Sequence, residues 1–459
     1  MSKHWKFLVA IGLGFALTAT ACGGRDEGGD GSDDTTDTTD GSGEGGDEGG
    51  SEAAFIDPEI DCDTYEGTKG VEGDTIKIGT IRPADGPYAI YDQVTTGMQA
   101  FVDYTNTQGG VVAGDGKTYK LELIKENDGY DPSRTPPLAK KLVEQDGVFA
   151  LLGVIGTENN KAIREYLNEE CVPNIALATG SPEWGRSEEY PWYFSGLPSY
   201  AAEANAWVTY LKDAKPDAKI ALLYQDDDFG KSYQAGLTKA IEAANADGAN
   251  LEIVAEQSYN PLSGSTTEAA TVQLSQSGAD VFIVGIGGTP CPQTLGFVPQ
   301  TWDPLTFISV TCGGKTAMSI AGPASEGVVQ AQATYDPSDP ADIALPQVAE
   351  FIEAGLAAGL TQQQVEGGIV AVGWGFGALF AKAIEESATV DRADVMNTLY
   401  SLEDQGFGLV REEITVNTNG SEDPWAIEGF RISQRNAEGG WTELSPVTNF
   451  EGKSNGFAE

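Results

Sequence analysis

The chain is poor in the residues that carry covalent or acid–base chemistry near neutral pH. His4 is the only histidine among 459 residues. Beyond the first few positions, no Ser-His-Asp triad, Cys-His pair or histidine-bearing zinc site can be assembled. Carboxylate chemistry stays formally open. Asp226-Asp227-Asp228 has the charge for a cation but lacks the glycine and distal glutamate of a calcium loop. It reads instead as a solvated loop at a strand end. Gly230-Lys231-Ser232 and Gly314-Lys315-Thr316 each match the end of a phosphate-binding loop, yet neither has the glycine five residues earlier that such a loop needs. Gly285-Ile286-Gly287-Gly288 is not a dinucleotide fingerprint, and no nucleophile elbow occurs. The chain is therefore expected not to be an enzyme and to need neither metal nor cofactor.

Charge narrows the partners. The formal net charge is -43. Such a polyanion repels nucleic acid and disfavours direct adhesion to an anionic membrane surface. The N-terminus reads as an address. Lys3, His4 and Lys6 precede a short apolar run and then Thr18-Ala19-Thr20-Ala21-Cys22, the layout of a signal peptide. The last residues resemble the bacterial lipobox, with Ala19 where Leu or Val is more usual. That resemblance implies cleavage after residue 21 and a lipid on Cys22. Gly23 to about Ser51 is almost wholly Gly, Asp, Glu, Ser and Thr. Such a stretch buries too little apolar surface to offset its ordering entropy, so a disordered tether is expected over 22–73.

What would position any site is a repeated strand–helix pattern. Strands are predicted at 75–81, 119–124, 148–153 and 174–178, with helices at 95–108, 137–145 and 161–170. The pattern restarts after Ser195. Helices at 200–213 and 232–246 alternate with strands at 219–224 and 252–256, and strands at 280–285 and 305–309 follow. This predicts an α/β fold of two doubly wound, parallel-sheet lobes. Ligands in such sheets bind beyond the carboxyl ends of the strands. Four cysteines remain, and in an exported chain they suggest two disulfides with three possible pairings. Cys291 and Cys312 each follow a strand of one lobe, while Cys62 and Cys171 each precede a strand of the other. Position thus favours Cys62–Cys171 and Cys291–Cys312, with free buried thiols as the alternative.

At the strand-end loops the chain resembles the type I periplasmic binding proteins of the leucine/isoleucine/valine and amide group. The marks run in order from Gly86-Pro87-Tyr88-Ala89-Ile90-Tyr91 through Asn106-Thr107-Gln108-Gly109-Gly110-Val111 to Asn127-Asp128-Gly129-Tyr130-Asp131-Pro132. They continue with Ala178-Thr179-Gly180-Ser181-Pro182-Glu183-Trp184, Asp226-Asp227-Asp228-Phe229-Gly230 and Ser325-Glu326-Gly327-Val328. The resemblance covers about 74–450. It implies two lobes joined by three crossovers, near 194–199, 329–335 and 406–411. Lobe 1 would hold 74–196 and 335–408, and lobe 2 would hold 197–334 and 409–450, with strands at 414–416 and 425–432. Residues 451–459 would form a tail. A small-molecule ligand would lie in the interlobe cleft and pass, from a monomeric carrier, to the membrane permease of an ABC importer. Presentation of the ligand to a membrane receptor is one alternative, and an extracytoplasmic hydrolase is the other.

Carried over one residue at a time, the resemblance places the family's first-loop tyrosine on Tyr91, with Tyr88 nearby. The hydroxyl that grips a ligand carboxylate falls on Thr157, at the start of a helix whose free N–H groups suit an anion. A plain helix cap is the other reading. Ala178, Thr179 and Ser181 fall at the next strand end, and the second-lobe aromatic falls on Phe229. Amino-acid-binding members carry an acid after the strand at 305–309, but here Val310-Thr311-Cys312-Gly313 has none. Gly287-Gly288-Thr289 likewise stands where an aromatic is usual. Thr289 and Thr311 are then candidate contacts, and Glu158 is the nearest substitute anion. A buried ammonium without an anionic partner is costly. The resemblance implies a small amino acid, an amide, or a hydrophobic or aromatic carboxylate as ligand, and the missing acid points to a carboxylate or amide at least as strongly as to an amino acid. Trp184 either walls the cleft or packs beneath the first crossover.

Overall fold

Continuous apolar runs make strands that are covered on both faces. Val281 to Val284 is the clearest case, with every residue fully buried. In the computed structural model, which describes residues 54–457, these runs form two separate sheets. The signal peptide, Cys22 and the stretch to residue 53 lie outside the described residues.

The first sheet is built from β1 (Val71–Glu72), β2 (Thr75–Arg82), β3 (Val111–Val112), β4 (Thr118–Asn127), β5 (Ala150–Leu152), β6 (Asn174–Leu177) and β7 (Tyr193–Ser195). Its order is β3-β4-β2-β5-β6-β7, with β1 paired to β2. All pairings are parallel except those of β1 and β3. The second sheet holds β8 (Lys219–Gln225), β9 (Glu252–Tyr259), β10 (Val281–Gly285), β11 (Leu305–Ile308), β12 (Val329–Gln332), β13 (Gly429–Arg435) and β14 (Trp441–Asn449). Its order is β14-β13-β12-β11-β10-β8-β9, and only β13 runs against the others, so its pairings with β12 and β14 are the antiparallel ones.

Helices α1 (Pro58–Asp61), α2 (Asp92–Thr107), α3 (Thr135–Lys140) and α4 (Thr157–Glu169) accompany the first sheet. The second carries α5 (Tyr200–Ala214), α6 (Asp228–Ala246), α7 (Glu268–Leu274), α8 (Pro290–Phe297) and α9 (Lys315–Ala321). The chain then returns to the first lobe with α10 (Pro346–Ala357), α11 (Gln362–Val365), α12 (Ile369–Glu386) and α13 (Arg392–Leu399). Glycines let α12 lie directly against α2. A Cβ on Gly373 would sit 1.8 Å from the Val94 carbonyl oxygen, and one on Gly97 would sit 2.0 Å from that of Val370. Buried Arg392, at the start of α13, locks this return. Its guanidinium donates to the carbonyls of Val148 and Phe149, each at 2.8 Å. Although α12 is strongly apolar, no helix of the described residues is long and apolar enough to cross a membrane.

Three segments pass between the sheets, at 196–199, 333–345 and 400–428. The second and third run side by side. Thr334 bridges Val410, the Tyr335 N–H donates to Leu409 (2.8 Å), and the Arg411 N–H donates to Ala333 (3.1 Å). Both disulfides form, as Cys62–Cys171 and Cys291–Cys312.

Three expectations need correction. The stretch 54–73 is not tether: Ile56 is buried, α1 and β1 form, and Cys62 is bonded to Cys171. Phe55, Ile56, Tyr65 and Val71 supply the apolar surface that the preceding residues lack. Ile414 and Val416 are buried but lie in irregular chain, and the returning strand begins only at Gly429. The sequence reading missed β14, whose residues are largely polar and half-exposed. Residues 451–457 pack onto the domain. Asn455 accepts the Trp425 indole N–H (2.7 Å) and donates to Gly185 (3.2 Å).

Candidate functional site

The carboxyl ends of both sheets face a cavity of about 170 Å³. Of the residues singled out from sequence, Tyr91, Thr157, Ala178, Thr179, Phe229 and Thr311 line it. Tyr88, Glu158, Ser181 and Thr289 do not.

The first lobe supplies one polar end. Gly156, at φ 103, turns the chain into α4 and is its N-cap without a side chain. Thr157 is then the first helical residue, and its hydroxyl does not cap the helix. It bonds the hydroxyl of Thr179 on the neighbouring strand end, at 2.6 Å. The first turn of α4 thus opens on the cavity without a side-chain cap, the arrangement in which helix N–H groups hold an anion. Trp184 donates its indole N–H to the Thr179 hydroxyl (3.3 Å) and packs beside Tyr193 and Trp425. It supports Thr179 from behind rather than walling the cavity.

Tyr91 joins the lobes. Its hydroxyl accepts the Gly288 N–H at 2.6 Å and donates to the Thr311 carbonyl at 3.1 Å. Burial pushes its titration upward. Tyr88 stacks on Tyr130, with ring centroids 3.9 Å apart, and donates to Gln225 at 2.7 Å. The missing second-lobe aromatic is explained here. A Cβ on Gly288 would lie 2.8 Å from the Tyr88 ring, and one on Gly287 would lie 3.0 Å from the Tyr91 hydroxyl. The glycine pair makes room for aromatics that arrive from the opposite lobe.

Further bonds close the lobes on each other. Glu158 accepts the Asp228 N–H at the start of α6 (3.0 Å), so its carboxylate is engaged outside the cavity. Ser181 bonds Ser232 (3.2 Å), the Thr289 N–H donates to Pro87 (3.0 Å), and Lys161 pairs with Asp228. Lys315 pairs with Glu366 at 2.6 Å.

The rest of the wall is mostly apolar. Leu197, Phe376, Phe407, Leu409 and Val410 line the side toward the crossovers, and Gln330 and Gln332 line it from β12. Among the described residues, Asp336 is the only charged one lining the cavity. Its oxygens already accept bonds from Ser338 and from the Trp441 indole.

One acid was missed from sequence. Glu203, on α5, is wholly buried behind the Val310–Thr311 wall. Its carboxyl accepts the Val310 N–H at 2.7 Å and bonds Tyr233 at 2.6 Å. Burial pushes it up to about 8, and those two bonds only partly oppose the rise. An acid thus lies in the layer behind the wall and not at the strand end after β11. No strand-end pattern signals it, because it lies on a helix face among alanines. Tyr130, also missed as a lining residue, sits at φ 66 within a motif the sequence did mark.

Among the described residues, Asp423, Glu428 and Glu451 bring carboxylate oxygens within 4.8 Å of one another. None of them lines the cavity, and Glu428 is bonded to the Gly452 and Ser454 N–H groups.

Two mostly parallel α/β lobes, joined by three passages and closed on a central cavity, define a solute-binding architecture. The periplasmic binding protein family matches residues 75–426, and the chain belongs to that family. A Leu/Ile/Val-binding protein of Escherichia coli (strain K12) is 25% identical over 174 residues, 38% of this chain and 45% of that protein. The match thus spans under half of that relative's length. Among solved structures, a branched-chain amino acid ABC transporter protein from Thermus thermophilus with bound valine has a TM-score of 0.71 at 17% identity, covering 83% of this chain and 97% of that one. A solute-binding protein from R. palustris in complex with 4-hydroxybenzoate has a TM-score of 0.68 at 17% identity, covering 82% and 97%. These likenesses confirm the two-lobed fold.

Proposed function

We propose that this chain is the extracytoplasmic, lipid-anchored binding protein of an ABC importer, and that it captures a small amphipathic carboxylate or amide between its lobes. It delivers the ligand to the membrane permease and performs no chemistry on it. The observation that carries the ligand class is the make-up of the cavity wall, which joins the uncapped α4 N-terminus, with Thr157 and Thr179, to the apolar side chains of Phe376, Phe407 and Leu409. Among the described residues the one carboxylate on the cavity wall is Asp336, whose two oxygens are taken up by Ser338 and the Trp441 indole. A free amino acid would have to place its ammonium where no carboxylate is free to turn toward it, which weakens it against a ligand that lacks the ammonium.

A matched pair tests this. L-leucine and 4-methylpentanoate share a side chain and a carboxylate but differ in the ammonium. In a thermal-shift and calorimetry panel that also holds benzoate and 4-hydroxybenzoate, a monocarboxylate or its amide should raise the unfolding midpoint. A ligand present at a hundred times its Kd stabilises the fold by about 2.7 kcal/mol. No shift from any probe with folded protein, or tight L-leucine binding without 4-methylpentanoate binding, would refute the reading.

A further inference from the structure

A continuous line of hydroxyls runs from Glu203 to the cavity. The Glu203 carboxyl meets the Tyr233 hydroxyl at 2.6 Å, Tyr233 meets Ser309 at 2.7 Å, and Ser309 meets Thr311 at 2.8 Å. Glu203, Tyr233 and Ser309 are fully buried, and Thr311 lines the cavity. We propose that Glu203 sets whether Thr311 offers a hydrogen-bond donor or an acceptor to the bound molecule. The inference rests on the capture reading, because it takes Thr311 to face that molecule.

Each hydroxyl has one proton to give, so the chain has two consistent directions. With Glu203 ionised, Tyr233 donates to it, Ser309 donates to Tyr233, and Thr311 donates to Ser309. Thr311 then faces the cavity with lone pairs alone. With Glu203 protonated and donating to Tyr233, every link reverses. The Thr311 proton is then free to point at the ligand. The Thr311 N–H bonds Ser309 (3.2 Å) in either direction and holds the link in place.

Surroundings select the second direction at neutral pH. The titratable groups facing Glu203 are Tyr200 and Tyr233, and no charged side chain among the described residues contributes to its shift. A carboxylate in such a site is disfavoured by desolvation, so the neutral form prevails. Thr311 is then a donor, and the part of the ligand that reaches it must be an acceptor: a carbonyl, an ether or a carboxylate oxygen. Glu203 acts as a positioning residue that never touches the ligand, and it rejects ligands that bring an N–H to this point.

The test begins on ligand-free protein. Carboxyl-carbon NMR of protein labelled at glutamate follows Glu203 from pH 5 to pH 10, with the signal assigned by its loss in Glu203→Gln. Thr311→Val and Ser309→Ala should each raise the Glu203 midpoint by about half a pH unit or more, because the anion loses donors relayed to it. An unchanged midpoint in both variants overturns the proposal. Thr311→Val keeps side-chain volume at a cavity wall, so it carries the test if Ser309→Ala fails to fold. With 4-methoxybenzoate as probe, whose ether oxygen is an acceptor left for Thr311 when its carboxylate is held at α4, wild-type affinity should fall about ten-fold between pH 7 and pH 9 while Glu203→Gln stays level. Equal losses in both proteins also overturn it. Failure of the capture reading is distinguishable, since it appears as no binding by any probe while the ligand-free titration still reports the relay.

Discussion

Replacing Glu203 by glutamine should change how stability depends on pH more than how large it is. Glu203 is wholly buried, and its carboxyl is pushed from the ordinary 4.5 up to about 8, first by burial. The folded state therefore keeps a proton that the unfolded chain releases above about pH 4.5. Wherever the native state holds the extra proton, unfolding free energy falls as pH rises. Stability from this group is full below about pH 4.5, declines up to about pH 8, and is then level. At 1.36 kcal/mol per pH unit, the loss is at most about 5 kcal/mol and of order 3 after relaxation of the site. Glutamine keeps an acceptor for the Val310 N–H and a donor for Tyr233, but never ionises. Urea unfolding of both proteins between pH 5 and pH 9 measures the effect. The 70 Asp and Glu residues include Glu203 itself, and the others are common to both proteins, so the difference curve isolates this one. Near pH 5 the variant should be equal or slightly weaker, and near pH 9 it should be the more stable. A difference that stays constant across the range, within about 0.5 kcal/mol, would refute the buried-neutral assignment.

Tyr91→Phe removes both bonds of the Tyr91 hydroxyl across the cleft, worth about 1–3 kcal/mol to the closed form, and should weaken ligand binding roughly ten-fold by calorimetry. Gly373→Ala drives a methyl group into the Val94 carbonyl, so the midpoint of thermal unfolding should drop by several degrees, with overpacking costing about 1–3 kcal/mol. Removing Cys62–Cys171, with its sequence separation of 109, should cost about 5 kcal/mol, against about 3 for Cys291–Cys312 with its separation of 21, in denaturant unfolding of paired Cys→Ser variants. Arg392→Met strands the carbonyls of Val148 and Phe149 and should destabilise the fold by about 3 kcal/mol in the same assay.

The two lobes were legible because parallel strands buried on both faces leave unbroken apolar runs. Positions that depend on a single local feature were legible too, such as Thr157 at a helix start and Cys171 and Cys291 beside strands. Three kinds of feature were hidden. Half-exposed β14 mixes polar and apolar residues, so no run announces it. The segment 54–73 contrasts only weakly with the polar stretch before it, and what orders it is contact with distant Asn397, Arg392 and Cys171. Glu203 and the crossover wall of Phe376, Phe407 and Leu409 come from parts of the chain that meet only once the fold is complete. A vacancy could be read from sequence at Gly287-Gly288 and after β11. What lies around it could not, because Tyr88 and Tyr91 come from the other lobe and Glu203 from the layer behind.

The three passages between the sheets also bear on the order in which the molecule can be made. All of the first sheet is present once Ser195 has been synthesised. The face that α12 covers stays bare until Glu386 is in place, after nearly all of the second lobe's parallel strands. The second sheet in turn waits for β13 and β14. Neither lobe can finish before the other is largely built, so a partial chain exposes apolar strands for most of its synthesis. Uncovered apolar strands of that kind favour association with chaperones or with other partial chains.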